Sequence, residues 1–224
     1  MEKAILNHHA STVLAKCEET GEFLFGKYDE GYPGKNKHWI GRVKLLGGNY
    51  FCGKDKDISP RATLIREIEE EFSGKNAAEG EMSVSQTHSF ASLDEIKKVR
   101  EALSCIEPFQ DYFAHFPALK PIEYAVQSVY RVFISKQIMN IIKENLEDNK
   151  SLINEGCLAV HTLDDIVAGN PMTQGITGLI MGHAEKKIVP HCFKDSFSFV
   201  PLGKTRENYL AYSDIFEYFN HSKK

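Results

Sequence analysis

The segment from Ser59 to Phe72 constrains the chain more than any other, because both helix ends and the charge of one face are written into it. Ser59 is a good N-cap, and Pro60 falls at the first helical position, where its missing N–H costs nothing. The helix is expected to end near Ser73-Gly74. At about 100° per residue, Glu67, Glu70 and Glu71 share one face. Ile58, Ala62, Leu64, Ile65, Ile68 and Phe72 lie around the other side, and Glu69 projects away from the clustered carboxylates. Residues 59 to 73 carry two Arg and four Glu, with the acids toward the C-terminus, where the helix dipole disfavours negative charge. Three crowded carboxylates there are destabilising unless something positive offsets them, and a hard divalent cation with oxygen ligands does so directly. The competing reading is a solvated acidic face, which on spacing alone is the commoner account of a Glu-rich helix.

Strands surround this helix. Ser11 to Cys17 and Glu22 to Tyr28 are β-prone runs separated by Glu-Glu-Thr-Gly, a hairpin pattern. Trp39 to Leu46 reads as a further strand stopped by Gly47-Gly48. From Gly74 the composition turns polar and small. Asp94 to Ser104 then reads as a charged amphipathic helix before the aromatic stretch Phe109 to Phe116, and the region of about 74–120 reads as an insertion. Val126 to Ile134 is strand-like, Lys136 to Leu146 helical, and Cys157 to His161 a short strand leading into a capped helix start at Thr162. Residues 171 to 186 can form one more helix. The extension of about 187–224 holds Phe193, Phe197, Phe199, Tyr209, Tyr212 and Phe216, which predicts that it packs on the rest of a single domain.

Composition narrows the function. With 27 basic and 31 acidic side chains the formal charge is −4, so no overall basic field draws the chain onto nucleic acid or anionic lipid. No apolar run approaches the ~18 residues of a membrane span, and the N-terminal residues lack a secretory h-region, so a cytoplasmic location is expected. The cysteines, Cys17, Cys52, Cys105, Cys157 and Cys192, are odd in number and scattered without a C-x-x-C pair, which favours free thiols over a disulfide framework or a zinc site. Gly48 to Lys54 fits the spacing of a phosphate-binding loop, but Asp55 stands where the Mg²⁺-binding hydroxyl belongs. Lys54 and Lys56 read first as solvated loop lysines, with a phosphate contact as the alternative. The adjacent pairs His8-His9 and His191-Cys192 cannot turn both side chains to one site in an extended strand.

The order strand, Gly-Gly, loop, Ser-Pro, then Arg66-Glu67-Ile68-Glu69-Glu70-Glu71 resembles the Nudix box of the Nudix hydrolase superfamily, G-x5-E-x7-R-E-U-x-E-E-x-G-U with U aliphatic. Ser59 to Ile65 fill the seven-residue spacer. The first half departs: Ile58 stands at the earlier Glu, and nine residues rather than five separate Gly48 from it. Ser73 stands at the later Gly, and Gly74 at the final aliphatic. Gly47-Gly48 is similar to the family's Pro-Gly-Gly entrance, and Trp39 to the Trp often found before it. The likeness extends over about residues 8–73 and 122–186.

The resemblance implies an α/β fold, a Nudix-like α/β/α sandwich with a mixed sheet. It also implies a metal-dependent hydrolase that cleaves a pyrophosphate bond in a nucleoside diphosphate linked to another moiety. Mg²⁺ or Mn²⁺ would be held by Glu67, Glu70 and Glu71, with the carbonyl of Gly48 as a further candidate. Glu67, Glu70 and Arg66 become the catalytic candidates, with Glu67 also eligible as base and Arg66 holding a carboxylate in place. Asp57 or Asp55 are candidates to replace the Glu missing at Ile58, and Glu101, Glu107, Asp111 and Glu123 are further candidates for the base. Substrate contacts are expected from Trp39, Arg42, Lys54 and Lys56. The expected partner is a small nucleoside diphosphate derivative, with no membrane, no strong nucleic-acid signal, and homodimerisation left open. Two rival readings remain: a domain of the same fold that binds a nucleotide-like ligand without cleaving it, and a protein-interaction domain with a solvated acidic helix.

Overall fold

A long central strand, β1 (Ile5–Cys17), organises the chain, and its alternating side chains serve two cores. The computed structural model describes residues 5–28, 39–49, 58–74, 89–116, 123–154, 156–191 and 198–201. Val13, Ala15 and Cys17 enter one core, while Leu14 enters the other, as the two-residue strand period requires. Strand β2 (Glu22–Lys27) pairs antiparallel with β1 and splits likewise, Leu24 on one side and Phe23 and Phe25 on the other.

The main sheet runs β10 (Ser198–Pro201), β6 (Glu107–Phe116), β7 (Glu123–Phe133), β1, β2, β3 (Val43–Lys44). Strand β4 (Leu46–Asn49) also pairs with β1, and β9 (Cys157–Thr162) with β2. The β1–β7 pairing is parallel and the other named pairings of this sheet are antiparallel, so the sheet is mixed. A small parallel pair joins β5 (Ser89–Phe90) to β8 (Lys150–Ser151).

Helices cover both faces. Leu64, Ile68 and Phe72, on or just after α1 (Pro60–Glu71), pack with Ile96, Val99 and Leu103 of α2 (Leu93–Leu103) and with Met139 and Ile142 of α3 (Lys136–Glu147) on the Val13 side. Ile166 of α4 (Leu163–Val167) and Ile180 and Met181 of α5 (Gly175–Glu185) close the Phe25 side. The architecture is the α/β/α sandwich with a mixed sheet that the resemblance implied. Among the described residues no helix is long and apolar enough to cross a membrane. Cys17, Cys105 and Cys157 are free thiols.

Three segments differ from the expectation. Trp39 lies in a tight turn rather than a strand, and pairing resumes only at Val43. Gly47-Gly48, expected to stop a strand, instead sit inside β4 opposite Thr12 and Ser11. Glycine serves close approach here: at Gly47, with φ +128°, an added Cβ would run into the Ser11 carbonyl and lie 2.8 Å from Thr12 Cα. The aromatic stretch within the supposed insertion is β6, an integral strand between β10 and β7, and α2 contributes to the core. Phe199 of the C-terminal extension lies in β10 at the sheet edge, while Phe193, Phe197, Tyr209, Tyr212 and Phe216 lie outside the described residues.

Helix α1 begins as its sequence dictates. Ser59 Oγ accepts the Ala62 N–H at 3.1 Å, with Pro60 in the first turn. Ser59→Ala is expected to lower stability by about 1 kcal/mol in urea unfolding, since it orphans one N-terminal donor.

Candidate active site

Two anchors fix α1 over the sheet. Its apolar residues bury against β1 and β4, and Arg61 Nη1 donates to the Ile106 carbonyl at 2.8 Å. At the C-terminal end Asn154 takes up carbonyls that a helix leaves unpaired. Its backbone N–H donates to Glu71 O at 2.8 Å, and its side-chain Nδ2 donates to Glu70 O and to Ser73 Oγ, each at 2.6 Å. Ser73 therefore does not simply stand in for a glycine; its hydroxyl is tied to the loop after β8. Gly74, one residue later, takes the left-handed conformation, φ +66°.

Arg66 points inward from the acidic stretch and is 4% exposed. Its Nη2 lies 2.7 Å from Glu67 Oε1 and donates to the Asn49 carbonyl at 3.1 Å, while Nη1 lies 2.8 Å from Glu70 Oε2. One guanidinium fork thus gathers two carboxylates of α1 and the end of β4, which a lysine's single ammonium cannot do with the same geometry. Glu67 is mostly buried and Glu70 half exposed. Glu71 lies on the same end of the helix, with one carboxylate oxygen buried, and Glu69 is exposed. One guanidinium against three carboxylates leaves the cluster negative, and the helix dipole adds to it.

Gly48 completes the arrangement. A Cβ built on it would clash with the Glu67 carboxylate, so Glu67 takes this place over β4 because residue 48 has no side chain. This cradle, the all-oxygen donors and the excess negative charge fit a hard divalent cation in kind. Among the described residues no three His, Cys, Asp or Glu side chains converge as a ready ligand set. The ion pairs give the physical reason: Glu67 and Glu70 are both turned onto Arg66.

The remaining candidates lie as follows. Ile58 is 73% exposed and ends in no polar group, so it supplies no ligand. Asp55, Asp57, Lys54 and Lys56 lie outside the described residues. Trp39 packs on Tyr28 with ring centroids 5.3 Å apart, and Lys44 Nζ sits 5.4 Å from the Tyr28 ring. Arg42 Nη1 lies 3.5 Å from Met172 Sδ. These two candidates are therefore placed at the β2–β3 edge, while Glu67, Glu70, Arg66 and Gly48 are brought together at β4. Glu101 pairs with Lys97 and Glu107 with Arg131 on the surface, and Asp111 sits opposite Ser128 in the sheet. The side chain of Glu123 lies outside the described residues.

Sequence reasoning did not single out Asn49, Asn154, Ser128 or the role of His9. Each reaches its partner across a large sequence separation, and no local pattern announces such contacts. Another polar pair, Tyr112 with its hydroxyl 2.7 Å from His183 Nδ1, lies in the opposite core, where burial pushes the tyrosine well above its ordinary pKa.

Neither a family model nor a curated protein matches the chain. Among solved structures, a NUDIX hydrolase from Nitrosomonas europaea aligns over 84% of this chain and 99% of its own, at 12% identity and a TM-score of 0.39. A MutT protein from Methanosarcina mazei Go1 aligns over 80% and 96%, at 14% identity and a TM-score of 0.40. A bifunctional NMN adenylyltransferase/ADP ribose pyrophosphatase from Francisella tularensis aligns over 66% of this chain and 42% of its own, at 15% identity and a TM-score of 0.24.

Proposed function

We propose that the chain is a divalent-cation-dependent hydrolase of the pyrophosphate bond in a nucleoside diphosphate linked to another moiety. The observation that carries this reading is the seat of Glu67: a carboxylate laid on a side-chain-free strand position and held by a buried guanidinium that also holds Glu70. A solvated acidic face needs neither a buried arginine nor a glycine cradle.

Glu67, Glu70 and Glu71 would hold Mg²⁺ or Mn²⁺ with the Gly48 backbone beside them. When bound, such a cation polarises a phosphoryl oxygen and lowers the pKa of water. The chain's own residues do the rest. Arg66 holds Glu67 and Glu70 against α1 in the absence of the cation, and both carboxylates would turn from the guanidinium on binding. Glu67, mostly shielded from solvent, is the group to accept a proton from water. Trp39 offers an aromatic face to a base, and Arg42, Lys54 and Lys56 offer positive charge to phosphate. Free thiols agree with a cytoplasmic setting.

The test is release of nucleoside monophosphate from ADP-ribose, nucleotide sugars and dinucleoside polyphosphates, with Mg²⁺, with Mn²⁺ and with chelator. Turnover of at least one substrate that stops on chelation is expected; chelator-insensitive turnover overturns the reading. Binding without turnover supports the second reading, a ligand-sensing domain, which Ile58 in place of a carboxylate favours. Gly48→Ala should lower the melting temperature, because the added Cβ pushes the Glu67 carboxylate off its seat and away from the buried Arg66 guanidinium. It should lower turnover by roughly 10-fold, the lower end of the effect of disturbing what orients a metal ligand.

A further inference from the structure

The sheet beneath α1 carries a buried polar row beside Glu67. In register across three strands stand Gly48, Ser11 and Ser128. Residues paired in this way point to the same face, as Leu46, Val13 and Tyr130 do in the next row, where all three enter the α1-side core. Ser11 is 0% exposed and Ser128 2%. Ser128 Oγ lies 3.2 Å from Nε2 of His9, itself 5% exposed. Ser11 Oγ is buried and makes no hydrogen bond.

A buried hydroxyl without a partner is costly, and such a group calls for an explanation. Its position supplies one. The Cβ direction of Gly48 leads into the Glu67 carboxylate. The Cβ of a directly opposite residue stands only about 4.5–5.5 Å away and points the same way. The hydroxyl of Ser11 is therefore aimed beside Glu67, and a hydroxyl donates readily to a carboxylate. In the present arrangement Glu67 Oε1 is on Arg66.

We infer that Ser11 is a positioning residue for Glu67, donating its Oγ–H to that carboxylate when Glu67 engages a divalent cation. The inference rests on the proposed role of α1. Arg66 holds Glu67 without the cation, and Ser11 steadies it with the cation. Ser128 is engaged with His9, which leaves Ser11 as the hydroxyl of the row available for this purpose. Ser11 itself touches neither substrate nor reacting atoms.

The experiment compares thermal melts of wild type and Ser11→Ala, each with and without MnCl₂. The substitution removes one oxygen and adds nothing, so the variant is expected to fold. Without Mn²⁺ it should melt at or above the wild-type temperature, because an orphaned buried hydroxyl is gone. Its Mn²⁺-induced shift should be smaller, corresponding to roughly 10–100-fold weaker binding, as for other groups that orient a ligand. Equal Mn²⁺ shifts overturn the inference and leave the reading of α1 standing. A metal-free melting temperature well below wild type makes Ser11 a packing or structural residue, and also overturns it. Absence of a Mn²⁺ shift in both proteins removes the α1 cation site and the inference with it.

Discussion

Glu70→Gln is expected to reduce hydrolysis by about 100-fold or more, since even partners behind a metal ligand cost roughly 10–100-fold when removed. Its fold should survive. Gln is nearly isosteric with Glu and as good a helix former, and Glu70 is half exposed. Two small stability effects oppose each other: loss of the i, i+4 pair with Arg66, and relief of repulsion from Glu67 and Glu71. The net change in urea unfolding should stay within about 0.5 kcal/mol, the size of such exposed helix pairs. A large fall in turnover beside an unchanged urea midpoint separates a ligand role from a structural one. A variant that turns over like wild type returns Glu70 to the solvated surface.

Arg66→Ala is expected to have the largest effect on stability among the site variants. The side chain is buried and bridges Glu67, Glu70 and the Asn49 carbonyl. Removing one member of a fully buried ion pair costs about 3–5 kcal/mol. Here Glu70 is half exposed and can turn to water, so roughly 2–3 kcal/mol is expected from the same principle. Urea unfolding should show a lower midpoint with an unchanged slope. Arg66→Lys should fall between, because an ammonium keeps the charge but cannot fork to both carboxylates. If Arg66→Ala unfolds at the wild-type midpoint, the bridge contributes nothing and Glu67 is not held as described.

What was legible in the sequence was local. The start of α1 follows from Ser59 and Pro60, whose capping chemistry acts within one turn, and Thr162 marks α4 in the same way; Ser92 and Ser135, which sequence reasoning did not single out, cap α2 and α3 likewise. The shared face of Glu67, Glu70 and Glu71 follows from helical periodicity alone. Gly47-Gly48 was misread because a turn and a close approach use the same residue; only the pairing with Thr12 and Ser11 distinguishes them. Strand β6 was hidden by Glu107, Pro108 and Asp111 within its run, and became a strand through pairing with β7. Burial of Arg66 was not legible either, since arginine on a charged helix usually faces water. Nor were Asn154 and Ser11, whose places depend on chain segments brought together only by folding. Trp39 matched a family position in sequence, yet the fold sets it against Tyr28 at the β2–β3 edge.

The carboxylates of α1, with Glu67 seated over Gly48, are proposed to bind a divalent cation. Titration of Mn²⁺ followed by the electron paramagnetic resonance of the free ion tests it without any substrate. Wild type should remove free Mn²⁺ from solution with a saturable isotherm, and Glu67→Gln and Glu70→Gln should each bind at least about 10-fold more weakly. Equal binding by all three proteins, or none by wild type, would contradict the account.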